Sequence, residues 1–444
     1  SQCMTIGNRQ SAIRNCFVLC MTILLCSMLA GAQTFARSGK SYQVGPNPTA
    51  ITVADLNDDG FPDMVTANTG TMSDPRQERP ANDEVSVLMS KGSLEYEALP
   101  PLRTDFAPYA LAIANVDALK ALDIVVASFM AVHHHDLALF RNMGGNVFEP
   151  HYFKIPDEKL TYNRMYNGNH EPVFTMPGLT SIVLGDFNHD SLRDAVATGW
   201  SSDIIVFFPG TADTYFGDPK IIPAPGGPRD VKAADIDGDG NLDLVVTLYC
   251  SNEIGIWKGD GQGGFEPAAR FETRGHLPNK IQIADMNRDG RPDIVVSHCY
   301  TDDSIVIFYG GANFDFSVSQ EIALGTKRDV LEREIRDIVV ADFNHDERPD
   351  IAAACYASGQ VLVLINEGGS PAPPLTFKTE TYTFDGAKPR ALAAADFNKD
   401  EAVDLAVTLS SENKVEILAG KARPVREAEP KAKPPHEKAK KKKE

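Results

Sequence analysis

Residues 234–246 read ADIDGDGNLDLVV. Asp235, Asp237, Asp239 and Asp243 fall at positions 1, 3, 5 and 9 of a loop whose sixth residue is Gly240. Carboxylates at that density repel one another unless a cation sits among them. Hard oxygen donors at alternate positions of a tight turn are the donor set that calcium takes. An EF-hand loop opens the same way but needs Glu at position 12, where this chain has Val246. The flanks, RDVKAA and LDLVVTLY, are short, apolar and β-branched, with no helical period. The loop therefore joins two strands.

The loop recurs along the chain. Complete copies carry Asp55, Asn57, Asp59 and Asp63; Asp186, Asn188, Asp190 and Asp194; Asp285, Asn287, Asp289 and Asp293; Asp342, Asn344, Asp346 and Asp350; and Asp396, Asn398, Asp400 and Asp404. A degenerate copy keeps Asn115, Asp117 and Asp123 but has Leu119 and Lys120 in the middle. Seven copies thus start at 55, 115, 186, 235, 285, 342 and 396, in steps of 49 to 71 residues. One such loop could be an acidic turn without metal; seven in register, each between strand signals, point to metal.

The elements that must position these loops follow from the unit. Between 230 and 280, strand A is VKAA, strand B LDLVVTLY, strand C EIGIWKG and strand D FEPAARFET. A single four-stranded sheet cannot bury both faces, so the units must stack around an axis. The expected fold is all-β, a seven-bladed propeller of four-stranded blades over residues 33–420. The last unit stops after strand C, KVEILAG, while TFARSGKSYQVGPNP from 34 aligns with TFKTETYTFDGAKP from 376. Thr34 to Val44 should therefore supply the missing strand beside Val415 to Leu418 and close the ring.

The pattern P-x-x-apolar-x-x-A-D-apolar-N-x-D-G-x-P-D-apolar-V resembles the FG-GAP/VCBS repeat family, whose propeller is of the integrin α-subunit type. The resemblance covers nearly all of residues 33–420. It implies about six calcium sites, held through positions 1, 3, 5 and 9 and through the backbone carbonyls of Phe61, Leu192, Asn241, Arg291, Arg348 and Ala402. Ser191, Glu347 and Glu401 depart from the pattern by replacing Gly at position 6. A non-Gly residue there is strained if the backbone needs positive φ. The copy at Asn115–Asp123 has lost a ligand and gained a lysine, and should not bind.

The ends differ in kind. Arg9 and Arg14 precede the apolar run CFVLCMTILLCSMLAGA, which reads as a signal peptide over 1–32 cleaved after Ala32. The mature chain would then be secreted or extracytoplasmic, in periplasm or at a cell surface, without a membrane span. Residues 421–444 are rich in Lys and Pro and read as a disordered tail. Without these ends, 31 basic residues face 57 acidic ones, a net charge of −26. Such a body repels nucleic acid. Of seven cysteines, only Cys250, Cys299 and Cys355 lie in the propeller, which is no disulfide framework; buried free thiols are expected.

All A–B loops share one end of a propeller, so the B–C and D–A connections share the other. The expanded connections, NTGTMSDPRQERPANDE, PDEKLTYNRMYNGNHEPVFTMPG and GTKRDVLEREIR, all fall at that second end. So do the ends of strand B, with His133, His134 and His135 and the candidate ligand-binding residues Trp200, Tyr249, His298, Tyr300 and Tyr356. We expect a monomeric binding or adhesion module for a protein or glycan at a cell or matrix surface. A propeller lectin and a lyase-like polysaccharide enzyme are the alternatives. No aromatic pocket recurs at matching positions, which counts against the lectin. No Ser–His–Asp set or separate carboxylate pair supports the enzyme.

Overall fold

The computed structural model describes residues 33–70, 83–117, 119–131, 135–157, 160, 176–299, 303–325, 332–369 and 374–421. The leader at 1–32, Tyr300 and the tail beyond Lys421 lie outside them, as do His133, His134 and most of the three expanded connections. The described chain is all-β: seven antiparallel blades with strands in the order A-B-C-D, the first extended by the short strand Leu102–Arg103, and a small hairpin, Gly210–Thr211 with Tyr215–Phe216, between strands C and D of the third.

Strands A are Pro48–Ala54, Pro108–Ala114, Leu179–Gly185, Pro228–Ala234, Pro278–Ala284, Ile335–Ala341 and Pro389–Ala395. Each touches the strands A of its two neighbours, and the last meets the first, so the seven line a closed central channel. They are half-buried because one face looks into that channel. Strands B, from Asp63–Asn68 to Asp404–Leu409, are buried at every residue, as expected between two sheet neighbours and two blade neighbours. Strands D, such as Phe265–Glu272, form the outer wall and alternate between exposed and half-buried residues.

The core is divided into seven apolar clusters, one for each contact between neighbouring blades, beside a small eighth of Ala107, Phe129 and Met130. The second residue of every acidic loop plugs one of them. Leu56, Val116, Phe187, Ile236, Met286, Phe343 and Phe397 are all buried, which explains why this position is apolar in every copy. At roughly 25 cal/mol per Å² of apolar area, each plug contributes about 1.5–3 kcal/mol and ties the loop to the next blade.

The ring closes as the alignment of residues 34 and 376 required. Strand Phe35–Gln43 pairs antiparallel with Lys414–Gly420, with Tyr42 opposite Val415 and Arg37 opposite Leu418. Phe35 is buried beside Phe343 and Tyr382. Tyr382 Oη accepts from the Phe35 amide (2.9 Å), and Glu380 accepts from the Thr34 amide (2.7 Å). The N-terminal strand is thus pinned to blade 6 as well as blade 7.

Candidate functional sites at the two ends of the channel

The acidic loops gather at one end of the ring. In the first, the Asp55 carboxylate accepts from the amides of Asp59 (3.1 Å) and Gly60 (2.7 Å), and Asp59 Oδ1 accepts from the Phe61 amide (2.8 Å). The same bonds recur from Asp186, Asp235, Asp285, Asp342 and Asp396. They fold positions 1, 3 and 5 around one point. Asp235, Asp237 and Asp239 each bring a carboxylate oxygen within 4.8 Å of the others. An oxygen-only donor set on a tight turn fits a hard divalent cation. Position 6 does take positive φ, at Gly60, Gly240 and Gly290 and also at Ser191 (68°), Glu347 (69°) and Glu401 (68°).

Three loops carry a protein cation of their own; in one of them Arg348 pairs with Asp346. Lys258 pairs with Asp237 and, at 2.7 Å, with Asp239. Arg141 pairs with Asp117 in the degenerate copy. The registers Ile124–Phe140 and Leu244–Trp257 make Arg141 and Lys258 equivalent residues of strand C. A basic residue there delivers its charge to position 3 of its own loop. In the degenerate copy a guanidinium therefore stands by the carboxylate.

Position 9 has a second use that its spacing did not reveal. In all seven blades this Asp is fully buried. Asp63 accepts from the Leu56 amide (2.8 Å) with one oxygen and from the Ser90 amide (2.7 Å) with the other. Asp123, Asp194, Asp243, Asp293, Asp350 and Asp404 make the same two bonds. The carboxylate clasps the loop to the end of strand C, which satisfies two buried amides. Burial pushes Asp63, Asp293 and Asp404 up to about 6 and Asp350 up to about 7, against the pull of those amides.

At the opposite end, two rings of side chains surround the channel mouth. The outer ring is the residue that follows strand B, whose amide bonds back to the chain entering strand A. Trp200 bonds to Gly178 O (3.0 Å), Tyr249 to Gly227 O (2.9 Å) and Tyr356 to Glu334 O (3.0 Å). Phe129 holds the same place in blade 2, bonded to Ala107 O (2.8 Å), so aromatic residues do recur at matching positions in four blades. The sequence shows no aromatic pocket recurring at matching positions because loop lengths differ; the strand register aligns these single aromatic residues. The matching residue of blade 5 is Cys299, bonded to Leu277 O (3.3 Å). His298, one place earlier, is fully buried and its Nδ1 lies 3.2 Å from Ser304 Oγ, because adjacent strand residues point to opposite faces. It does not belong to the mouth. His135 stacks on Tyr152 at 4.2 Å. Cys299 and Cys355 are buried thiols, whereas Cys250 is exposed.

The inner ring escaped the sequence reading. Each strand A pairs irregularly near its start, at Thr49, Tyr109, Thr180, Arg229, Asn279, Arg336 and Arg390. These seven side chains, with Lys280, line one cavity at the mouth. A β-bulge re-aims the side chain it carries. The signal was present as the residue after the A-strand proline in NPTA, APYA, GPRD, LPNK and KPRA, but its direction was not.

Seven four-stranded blades around a channel, with acidic A–B loops at one end, define the class: a β-propeller of repeated units. The FG-GAP-like repeat model matches residues 186–246, 236–296, 285–353 and 342–407, together half of the chain, and the protein belongs to that family. No curated protein sequence matches it. Among solved structures, BBS1N in complex with ARL6DN is similar over 89% of this chain and 98% of that one (14% identity, TM-score 0.56). A streptogramin B lyase is similar over 86% and 97% (15% identity, TM-score 0.55). Virginiamycin B lyase from Staphylococcus aureus is similar over 86% and 98% (12% identity, TM-score 0.53). At such identities the likeness is one of fold.

Proposed function

We propose that the protein is a calcium-stabilised binding module outside the cytoplasm, which holds a protein or glycan ligand at the channel-mouth end. The observation that carries this is the division of labour between the ends. Side chains of the acidic loops are committed to turns and to one another, whereas Trp200, Tyr249 and Tyr356 stand half-buried around an open mouth. Concave, partly apolar surfaces with a few polar groups suit ligands. Matched aromatic residues in neighbouring blades favour a sugar over a peptide among the two. The oxygens of positions 1, 3 and 5 would hold the ion, which supplies the positive charge that the crowded carboxylates need.

Extracellular calcium sites have Kd of ~10⁻⁴–10⁻³ M, so at about 1 mM calcium each adds roughly 0.4–1.4 kcal/mol. Chelation should lower the melting temperature, and Asp239→Ala should remove one ion by metal analysis, whereas Asp117→Ala should remove none. An unchanged melting curve in EDTA, with metal confirmed absent, would refute calcium stabilisation. For the ligand, a glycan and protein screen followed by hydrogen-exchange mapping should show protection around Trp200, Tyr249 and Tyr356. Protection confined to the hairpins at 55–63 and 235–243 would put the binding face at the wrong end.

A further inference from the structure

Building on that binding face, we propose that the channel mouth is an oxyanion site, anchored by Arg390, which takes the carboxylate of an acidic sugar lying across it. Three of the seven bulged residues are arginines, and their partners differ. Arg229 is fixed: its Nε donates to Asn279 Oδ1 (2.7 Å), its Nη2 to Tyr109 Oη (2.9 Å), and its guanidinium lies 4.8 Å from the Tyr249 ring. Arg336 donates to Glu334 and lies 5.4 Å from the Tyr356 ring. Arg390 faces the same Tyr356 ring at 6.0 Å and has no carboxylate partner among the described residues. Lys280 is matched by Asp230 at 3.3 Å.

The mouth therefore holds an excess of positive charge inside a body of net charge −26. Three guanidiniums line the mouth; among the described residues Glu334 pairs with Arg336, and Asp230 and Asp337 line the adjoining chamber with Lys280 and Lys232. Burial pushes the Tyr109 phenol up, yet Arg229, Arg390, Lys280 and Arg336 together bring it down to about 8. Burial and the neighbouring Arg336 and Arg229 also lower Arg390. A planar fork of N–H donors matches a carboxylate in shape. The gap between the ring side chains is about 20 Å³, above a chamber of about 120 Å³. It admits the tip of a ligand rather than a sugar ring, and the acidic body repels polyanions such as nucleic acid. The tip is thus a single carboxylate, with the sugar ring left against the surrounding aromatic side chains.

The test is calorimetry on the full chain with glucuronate, glucose and N-acetylglycylglycine. Glucuronate should bind and glucose should not. Arg390→Gln should weaken glucuronate by about tenfold or more, as expected on losing a charge-assisted contact, and Arg390→Lys should restore part of it. Lys91→Gln, at the acidic-loop end, should change nothing. Ultraviolet titration supplies a readout without affinity: glucuronate should move the Tyr109 phenol upward, and Tyr109→Phe should abolish that transition. Should Arg390→Gln fail to fold, as judged by its melting curve, Arg336→Gln serves in its place. Equal binding of glucose and glucuronate, glucuronate binding untouched by Arg390→Gln, or no binding by any probe would overturn the site. Binding of the peptide carboxylate alone would overturn the sugar assignment. If the mapped ligand still protects Trp200 and Tyr249 while glucuronate fails, the binding face stands and the oxyanion site falls.

Discussion

The residue just before strand C, Asp136, Asp203, Asn252, Asp303 or Asn413, accepts from an amide of the chain that follows strand D, and Asp136 is the one whose ionisation burial shifts most. Asp136, which opens the chain toward strand Leu137–Asn142, is 2% exposed and accepts from the Ile155 amide at 2.8 Å. Burial pushes its carboxyl up to about 7; the Ile155 amide opposes this, Asp105 and Asp157 add to it, and Lys154 offsets part. The unfolded chain releases this proton near pH 4, the folded chain near pH 7. Between the two the folded state binds more protons, so stability falls as pH rises and the loss is complete above about 7. Asp136→Asn keeps an acceptor for Ile155 and removes the charge. Its advantage over the parent in denaturant titrations should be near zero at pH 4 and grow to about 2–4 kcal/mol at pH 8. A pH-independent difference would mean that Asp136 is ionised throughout.

At the scale of the element, the acidic loop is a turn whose sixth residue is left-handed. A Cβ built on Gly60, Gly240 or Gly290 meets nothing within 4 Å, so a side chain there has room and only φ opposes it. Left-handed backbone costs an L residue about 1–2 kcal/mol, part of which a glycine loses again through unfolded-state entropy. Ser191→Gly, Glu347→Gly and Glu401→Gly should therefore each stabilise the chain by about 0.5–1 kcal/mol in chemical denaturation. The converse change, Gly290→Ala, should cost a similar amount. If the three glycine variants are neutral or destabilising, their side chains contribute more than the strain they bear.

For the whole molecule, closure is the feature with the largest leverage. A propeller without strand Phe35–Gln43 would bare the edge of Lys414–Gly420 and the face of blade 6 that Phe35 covers. Unpaired edges invite association with other chains. Deleting residues 33–43 should give aggregated or protease-sensitive protein by size-exclusion chromatography and limited proteolysis. A truncated chain that stays monomeric and melts like the parent would show that the other six blades hold the ring shut.

The periodic part of this protein is legible in one dimension. Loop spacing marked where strands A and B meet, counting loops set the number of blades, and the alignment of residues 34 and 376 located the closing strand. These are local patterns, and local patterns survive in one dimension. Which way equivalent side chains face depends on register and on closure of the ring. Register turned His298 inward and put Cys299 in the place where Tyr249 and Tyr356 stand. A bulge at the start of each strand A aimed Arg229, Arg336 and Arg390 at a common axis, from blades far apart in the chain. Burial made the ninth residue of each loop a clasp for two backbone amides. A repeat fixes which residues are equivalent; closing the ring converts equivalence into convergence, because seven positions related by rotation meet only at the axis.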